Sequence, residues 1–262
     1  MNRSRTPVPV CEFLLASATC ALLWSTAGHA AATAAATAAT AAATATATAT
    51  ATADETFHDV DQFWSQQIAS LGGRYRSAKV THYTPSSAKL CGLKVPVSGS
   101  FYCPSEETVY LDDTFLERLQ RHARAGTSLT IGYLVAHELA HHIQAVLGTT
   151  ALVEQARARS TPEIARRSWI TMELQADCYV GLWAHAARSK GALAGTLDVD
   201  AMLADIAGAA REQQSHLTVG QQMIDPLDQG TPEQRSRWFR RGLDTGSFND
   251  CDTFTAEAAG KL

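Results

Sequence analysis

One stretch decides how this chain folds: residues 129–142 read LTIGYLVAHELAHH. Its first half is apolar almost all round a helix, which is typical of a buried helix rather than a surface one. Ser128 can cap this helix and Gly148 is a suitable stop, so we predict a helix from Leu129 to Leu147. Three histidines and a glutamate continue directly from the apolar half, and their burial is costly unless something pairs with them. A metal ion is the partner that this composition indicates.

The spacing of the polar residues supports a metal site. His137 and His141 are four residues apart, so a helix places them on one face with Cβ atoms roughly 5–6 Å apart. Both imidazoles can then reach one ion at the ~2.0–2.1 Å that zinc prefers. Glu138 is turned about 100° from His137 around the helix, close to the metal without having to bind it. This H-E-x-x-H arrangement predicts two zinc ligands and, in Glu138, a base acting on a metal-bound water.

A second helix supplies carboxylates at the same spacing. Residues 161–163, Thr-Pro-Glu, are a helix start, and we predict that the helix runs to Arg188 or Ser189. Glu173 and Asp177 share one face among apolar neighbours, where two carboxylates repel each other unless cations or donors compensate. Glu173 completes a three-ligand zinc site with an open position for water, and Asp177 is predicted to accept a hydrogen bond from a ligand histidine. The alternative is a solvated acidic stripe.

The N-terminal part of the chain has a different composition. Residues 1–30 combine Arg3 and Arg5 with a short apolar stretch and a small-x-small site, which predicts a signal peptide or short anchor. Residues 31–53 are all Ala or Thr. They carry no large apolar side chain, and frequent β-branched Thr works against a helix, so we expect a solvated low-complexity linker. Residues 54–262 remain for a folded domain with a sizeable core.

The cysteines fit an exported protein, either periplasmic or secreted. Beyond residue 30 the chain has Cys91, Cys103, Cys178 and Cys251, an even number that suits an oxidising compartment. No C-x-x-C pair occurs, so a zinc site of four thiolates is not indicated. Three pairings are open, and we predict Cys91–Cys103 as a local loop and Cys178–Cys251 as the bridge that closes a long one. A membrane is expected as a partner only if the N-terminal segment is uncleaved.

The charge of the chain bears on its partners. The formal net charge is −4, which lacks the electrostatic footprint of a nucleic-acid binder. We therefore expect no nucleic acid as a partner, whereas the H-E-x-x-H pattern indicates a peptide or protein substrate. A helix predicted to begin at Thr231 carries a basic face made of Arg235, Arg237, Arg240 and Arg241. We interpret this face as solvated, with a site for an acidic partner as the alternative.

Residues 137–144 (HELAHHIQ) and 173–179 (ELQADCY) together resemble the bacterial putative neutral zinc metallopeptidase family. The similarity extends to segments at 101–104, 109–112, 230–235, 237–242 and 251–254, so that it spans essentially the whole folded part. It implies an α+β, predominantly helical, zincin-like metallopeptidase domain with an active-site helix and a small antiparallel sheet. It also implies one Zn²⁺ per chain, a glutamate as third ligand and cleavage of peptide bonds.

The chain departs from the family pattern at its N-terminus, where the resemblance leads us to expect a longer membrane anchor, and at residues 229–231. Gln229-Gly230-Thr231 stands where the resemblance leads us to expect His-Gly-Thr, and a histidine there would stabilise an oxyanion. Oxyanion stabilisation needs a donor rather than a charge. The candidate donors are therefore Gln229, His216 and Tyr179.

The resemblance to zincins also implies that substrate adds its backbone to an exposed sheet edge. The candidate strand is Thr108 to Asp112, joined to residues 99–103 through a turn at Pro104-Ser105. An ordinary hairpin packed on the catalytic helix is an equal alternative.

Two functions of different classes remain open. The first is a zinc endopeptidase with Glu138 as general base. The second is a non-catalytic zinc-binding scaffold that acts as a binding or regulatory module. Glu138 favours the first, because a protein that only binds zinc needs no carboxylate beside the open coordination position.

Overall fold

The computed structural model describes residues 17–85, 89–191, 193, 197–218, 221–223 and 229–262. The chain divides into one unit that ends at Thr44 and a second unit from Ala45 to Leu262. The predicted signal peptide falls outside the described residues up to residue 16. Among the helices that are described, none is both long and apolar enough to cross a membrane.

The Ala/Thr tract is helical. Helix α1 runs from Ser17 to Ser70 and includes the whole tract. Ala is the strongest helix former, and the Thr hydroxyls along the tract bond to carbonyls one turn back, as Thr52 does to Thr48 O at 2.9 Å. In the second unit, Ala49 and Ala53 are fully buried. The structure therefore differs from the expected non-helical spacer, while a domain boundary near residue 54 stays a prediction.

Helices make up most of the second unit, and the predicted α+β, predominantly helical class is confirmed. After α1 they are α2 (Asp113–His122), α3 (Thr127–Val146), α4 (Thr149–Arg157), α5 (Pro162–Ser189), α6 (Val199–Ser215), α7 (Pro232–Thr245), a 3₁₀ turn (Phe248–Cys251) and α8 (Thr253–Ala258). Thr161 caps α5 as predicted, and Thr231 caps α7 in a capping box with Gln234. Helix α3 begins earlier than predicted, after Gly126 at φ 107°, so Ser128 lies inside the helix and is not its cap.

The sheet is small and mixed. Its strands are β1 (Lys79–Tyr83), β3 (Phe101–Cys103) and β4 (Thr108–Asp112), in the order β1-β4-β3, and β2 (Val97–Ser98) pairs separately with β5 (Gln222–Met223). The predicted hairpin is present as the antiparallel pair β3 and β4. Because β1 runs parallel to β4 on its other side, the sheet is not purely antiparallel. The prediction of β4 as the exposed edge is wrong, since β4 is central and β3 lies at the edge among the described residues.

Helices α5 and α7 cross at backbone contact. A Cβ atom placed on Gly181 would lie 2.2 Å from Phe239 O, and one on Gly242 would lie 2.1 Å from Cys178 O. Only glycine permits this approach. A disulfide between Cys178 and Cys251, with Cα atoms 5.6 Å apart, ties α5 to the 3₁₀ turn that follows α7. The crossing therefore holds the C-terminal part of the chain tightly against α5.

The second disulfide joins Cys91 to Cys103 at the end of β3, with Cα atoms 5.7 Å apart. Both bonds link the cysteines that the sequence analysis paired. Disulfides of this kind are typical of proteins in oxidising compartments.

Candidate metal centre

Helices α3 and α5 bring together His137, His141 and Glu173. Potential ligand atoms of these three side chains lie within 4.8 Å of one another. The Nε2 atoms of His137 and His141 lie 3.0 and 3.5 Å from the same oxygen, Glu173 Oε2. Two imidazole nitrogens and one carboxylate oxygen form the donor set of zinc sites that keep a fourth position open. The residues present therefore fit a zinc ion.

The other nitrogen of each histidine is already engaged. His137 Nδ1 donates to Asp177 Oδ1 at 3.1 Å, and His141 Nδ1 donates to Gln144 Oε1 at 2.9 Å. Gln144 in turn donates its amide to Met172 O at 2.8 Å, which turns its oxygen toward His141. Both rings are thus fixed in the tautomer that leaves Nε2 available to a metal.

Sequence reasoning missed Gln144. The sequence feature that could have indicated it is the position of Gln144, three residues after His141 and on the same side of a buried helix. The residue is fully buried, so its amide has to find partners within the protein.

Electrostatics bind this cluster together. Burial lowers the pKa of His141, but the charge and hydrogen bond of Glu173 outweigh burial and raise it to about 9. The pKa of His137 is raised well above its ordinary value, because hydrogen bonds to Asp177 and Glu173 outweigh burial. Burial raises the pKa of Glu173, yet the neighbouring histidines hold it far below its usual range. The carboxylate therefore requires cationic partners, which protons or a metal ion can provide.

A buried ionic network of Asp177, Arg235 and Tyr133 contacts the Nδ1 side of His137. Arg235 of α7 donates from Nε to Asp177 Oδ2 at 3.0 Å and from Nη2 to the Tyr133 hydroxyl at 2.7 Å. The Tyr133 hydroxyl itself donates to Asp177 Oδ1. Burial raises the pKa of Asp177, but the charge of Arg235 and the bond from His137 lower it below its usual range. Asp177 therefore remains an anion in the core.

The prediction that Arg235 belongs to a solvated basic face is wrong. Its side chain is 15% exposed and is paired with a carboxylate that is fully buried. The close crossing of α5 and α7 is the physical reason, because it leaves no layer of water between the two residues. Arg237, by contrast, is exposed, and Arg240 and Arg241 form surface pairs with Asp200 and Asp250.

A pocket of about 360 Å³ opens beside two of the three candidate ligands, His141 and Glu173. Glu138, which is 2% exposed, lies at this pocket together with His141 and Glu173. The remaining lining residues are mostly apolar: Phe101, Tyr102, Pro104, Thr150, Glu154, Trp169 and Met172. A buried carboxylate thus shares one accessible space with the metal-binding atoms.

The edge strand β3 is anchored to α3 beside this pocket. The Tyr102 hydroxyl donates to His142 Nδ1 at 3.0 Å, and His142 Nε2 donates to Arg76 O at 2.7 Å. Burial lowers the pKa of His142, which is neutral in this arrangement. His142 therefore positions the strand and points away from the candidate ligands.

None of the candidate oxyanion donors lines the pocket that holds Glu138. Gln229 is buried and lines a separate cavity of about 230 Å³ together with Leu134 and Arg235. His216 is exposed at the C-terminal end of α6. The Tyr179 ring is packed in the core, with Trp64 at 5.1 Å and Phe248 at 5.3 Å between ring centroids.

Comparisons with known proteins found one family and several relatives. The family described as putative neutral zinc metallopeptidase matches residues 13–254. The uncharacterized protein YpfJ of Escherichia coli K12 is 35% identical over 196 residues, which are 74% of this chain and 68% of YpfJ. The uncharacterized protein Rv2575 of Mycobacterium tuberculosis H37Rv is 31% identical over 215 residues, 78% of this chain and 70% of Rv2575. No solved structure matches the chain.

Proposed function

Because the chain belongs to the putative neutral zinc metallopeptidase family, we propose that it is a zinc-dependent peptidase. Its ligands are His137, His141 and Glu173, with one zinc ion per chain. The observation that carries the proposal is the convergence of both Nε2 atoms on Glu173 Oε2, at 3.0 and 3.5 Å. Two rings with their Nδ1 atoms engaged elsewhere and their Nε2 atoms aimed at one carboxylate oxygen are poised to share a metal.

The mechanism assigns each polar side chain a task. Bound zinc would supply a water of pKa about 7 and polarise the scissile carbonyl. Glu138 accepts the proton of that water as general base and then returns it to the leaving amine. Asp177 and Gln144 hold the two histidines in the tautomer that leaves Nε2 free to bind. Burial of Glu138 keeps competing water away from its carboxylate.

Substrate binds along β3. This strand is at the edge of the sheet and lines the pocket, so an extended peptide can pair with its backbone. The apolar side chains of Phe101, Trp169 and Met172 accept one apolar side chain of the substrate next to the bond that is cut. The enzyme is therefore an endopeptidase with a preference for an apolar residue at that place.

We propose that the enzyme is periplasmic or secreted, and its two disulfides support this location. Cys91–Cys103 and Cys178–Cys251 suit the periplasm or the exterior of the cell. Residues 1–30 direct export as a signal peptide, or anchor the protein in the membrane if they are not removed. The mass of the protein recovered from the periplasm or medium tests whether they are removed.

A second candidate function is a zinc-binding scaffold without catalysis. It is favoured by one observation, namely that Gln229, His216 and Tyr179 all lie outside the pocket that holds Glu138. Such a protein would keep the three ligands and bind a partner through β3. It would have no use for a buried carboxylate beside the zinc, which is why we place the peptidase first.

The deciding experiment uses the full chain and two variants, Glu138→Gln and Glu163→Gln. Zinc content is measured by mass spectrometry, and hydrolysis is measured on an unbiased peptide library. We expect about one zinc in all three proteins and a loss of turnover by at least about 100-fold in Glu138→Gln alone. The exposed Glu163, on the first turn of α5, serves as the matched control.

Each other outcome has a distinct meaning. Unchanged turnover in Glu138→Gln would remove Glu138 as the base. Zinc in every protein with no hydrolysis in any would favour the scaffold. Absence of zinc from the parent protein would refute the ligand set itself. Cut sites without an apolar neighbour would refute the assignment of the pocket.

A further inference from the structure

We propose that Arg235 and Tyr133 are positioning residues of the metal centre, which act through Asp177 on the ligand His137. The inference rests on the proposed zinc site, and it assigns helix α7 a role there although α7 contributes no ligand. Neither residue belongs to the candidate ligand group of His137, His141 and Glu173; both contact the Asp177 carboxylate, which accepts a hydrogen bond from His137.

The hydrogen bonds determine how the Asp177 carboxylate is oriented. Arg235 donates to both of its oxygens, at 3.0 Å to Oδ2 and 3.3 Å to Oδ1, and this forked contact fixes the plane of the carboxylate. The Tyr133 hydroxyl donates to Oδ1, the oxygen that also accepts from His137 Nδ1. With both oxygens held, the carboxylate has one orientation, and His137 has one orientation with it.

The Tyr133 ring acts on His137 directly as well. Tyr133 lies one turn before His137 on α3, and the two rings are stacked at 5.8 Å between centroids with 23° between their planes. Arg235 is also bonded to the Tyr133 hydroxyl. Arg235, Tyr133 and Asp177 therefore restrict both the tilt of the His137 imidazole and the direction of its Nδ1–H bond.

The negative charge of two buried carboxylates explains why residue 235 is an arginine. Asp177 and Glu173 are both buried carboxylates on α5, with exposed fractions of 0% and 1%. A single metal ion cannot compensate two anions and also retain a strongly polarising charge. Arg235 compensates Asp177 locally, because a planar guanidinium is the cation best suited to a buried, two-point contact with a carboxylate. The metal is then left to Glu173 and the two histidines.

A purely structural alternative exists, in which the pair between Arg235 and Asp177 only clamps α7 to α5. The two alternatives differ in one respect. A clamp changes the free energy of unfolding of the metal-free protein but leaves the zinc affinity of the folded protein unchanged, whereas a positioning residue changes the zinc affinity, and only while Asp177 is present to transmit the effect. A double-mutant cycle on zinc affinity separates them.

The test uses the full chain, stripped of metal and titrated with zinc against a chromophoric chelator. The variants are Arg235→Met, Asp177→Asn and the double variant, with Arg237→Met as control on the exposed side of the same helix. We expect Arg235→Met to weaken zinc binding about tenfold or more, as outer partners of zinc ligands do. In the Asp177→Asn background, the same change should cause no further loss. Arg237→Met should match the parent within about twofold.

A second pair of variants keeps the test decisive if Arg235→Met does not fold. Tyr133→Phe removes only one hydroxyl and should weaken zinc binding severalfold, and Arg235→Lys should recover part of the loss because it retains a cation. The visible spectrum of the cobalt-substituted protein should also change in Tyr133→Phe, since the ligand field depends on the orientation of His137. A clamp would leave that spectrum unchanged.

The outcomes distinguish this inference from the proposed function. If the parent binds zinc while Arg235→Met and Tyr133→Phe bind it equally well, the inference is overturned and the zinc site stands. Equal losses from Arg235→Met with and without Asp177 would also overturn it, because the effect would then not pass through Asp177. If the parent binds no zinc, the proposed function and the inference are refuted together.

Discussion

The crossing of α5 and α7 gives a prediction whose size can be worked out from the structure. In Gly242→Ala, the new Cβ atom would lie 2.1 Å from Cys178 O and 2.9 Å from Leu182 N, both of them backbone atoms. Ordinary contact begins at 3.4 Å, so the two helices would have to separate by about an ångström. Neither atom belongs to a flexible side chain that could turn away.

The magnitude is the balance of two effects. Overpacking a tight contact costs about 1–3 kcal/mol, and the upper end applies at this crossing because backbone must move. Replacing glycine by alanine inside a helix returns about 0.5–1 kcal/mol. We therefore expect Gly242→Ala to lower the free energy of unfolding by about 2 kcal/mol. Separation of the helices would also lengthen the bond between Arg235 and Asp177, so zinc binding should weaken in the same variant.

The assay is urea unfolding of the oxidised protein, followed by circular dichroism, with Gly132→Ala as the matched control. Gly132 is also inside a helix, but its nearest neighbour to a new Cβ atom is a side-chain atom of Trp183 at 3.4 Å. That variant should be as stable as the parent or slightly more stable. If Gly242→Ala were equally well tolerated, the helices would not be in backbone contact, and their close crossing could not be the cause of the burial of Arg235.

Two further predictions concern the metal ligands. Glu173→Ala should lose most of its zinc, with affinity falling at least about 100-fold, whereas Glu163→Ala should not; full zinc content in Glu173→Ala would place the third ligand elsewhere. Burial lowers the pKa of His141, but Glu173 raises it to about 9. The protonated His141 therefore stabilises the metal-free fold. This stabilisation is fully present below the unfolded pKa of about 6.5 and is lost as the pH rises through about 9. Thermal unfolding in chelator should therefore show a midpoint that falls between these pH values, and His141→Asn should reduce the fall to the part that His137 contributes, because the pKa of His137 is raised as well. The zinc-loaded protein should not show it, because the metal replaces the proton, and a flat profile of the metal-free parent would contradict the assignment.

Much of the candidate metal site could be predicted because its geometry is local. His137 and His141 share a face on any helix that contains both, and Thr161 and Pro162 mark where the second helix begins. The partner of each carboxylate depends on which helices meet, and this is not local. Arg235 is the clearest case, since nothing in the sequence of α7 separates it from the exposed Arg237.

The parts that were predicted incorrectly have a common cause. Strand β1 is short and only partly buried, and its parallel pairing with β4 joins residues far apart in the sequence. Without β1, the strand β4 looks like an edge. The Ala/Thr tract was misjudged for a related reason, because a helix of small residues gains stability from packing that its own sequence does not reveal, as Ala49 and Ala53 show.

The C-terminal part of the chain supports both histidine ligands, although it supplies none. Arg235 reaches His137 through Asp177. The Cys251 carbonyl accepts from Gln175 at 3.3 Å, Gln175 accepts from Gln144 at 3.1 Å, and Gln144 accepts from His141. Two independent chains of hydrogen bonds therefore run from this segment to the metal centre, and the disulfide at Cys251 fixes the end of one of them. In a proposed metal site assembled from α3 and α5 alone, Asp177 and Gln175 would lack their partners in the C-terminal segment and would hold the two histidines less firmly. This is the physical reason that we assign the segment after residue 230 to the site and not merely to the surface around it.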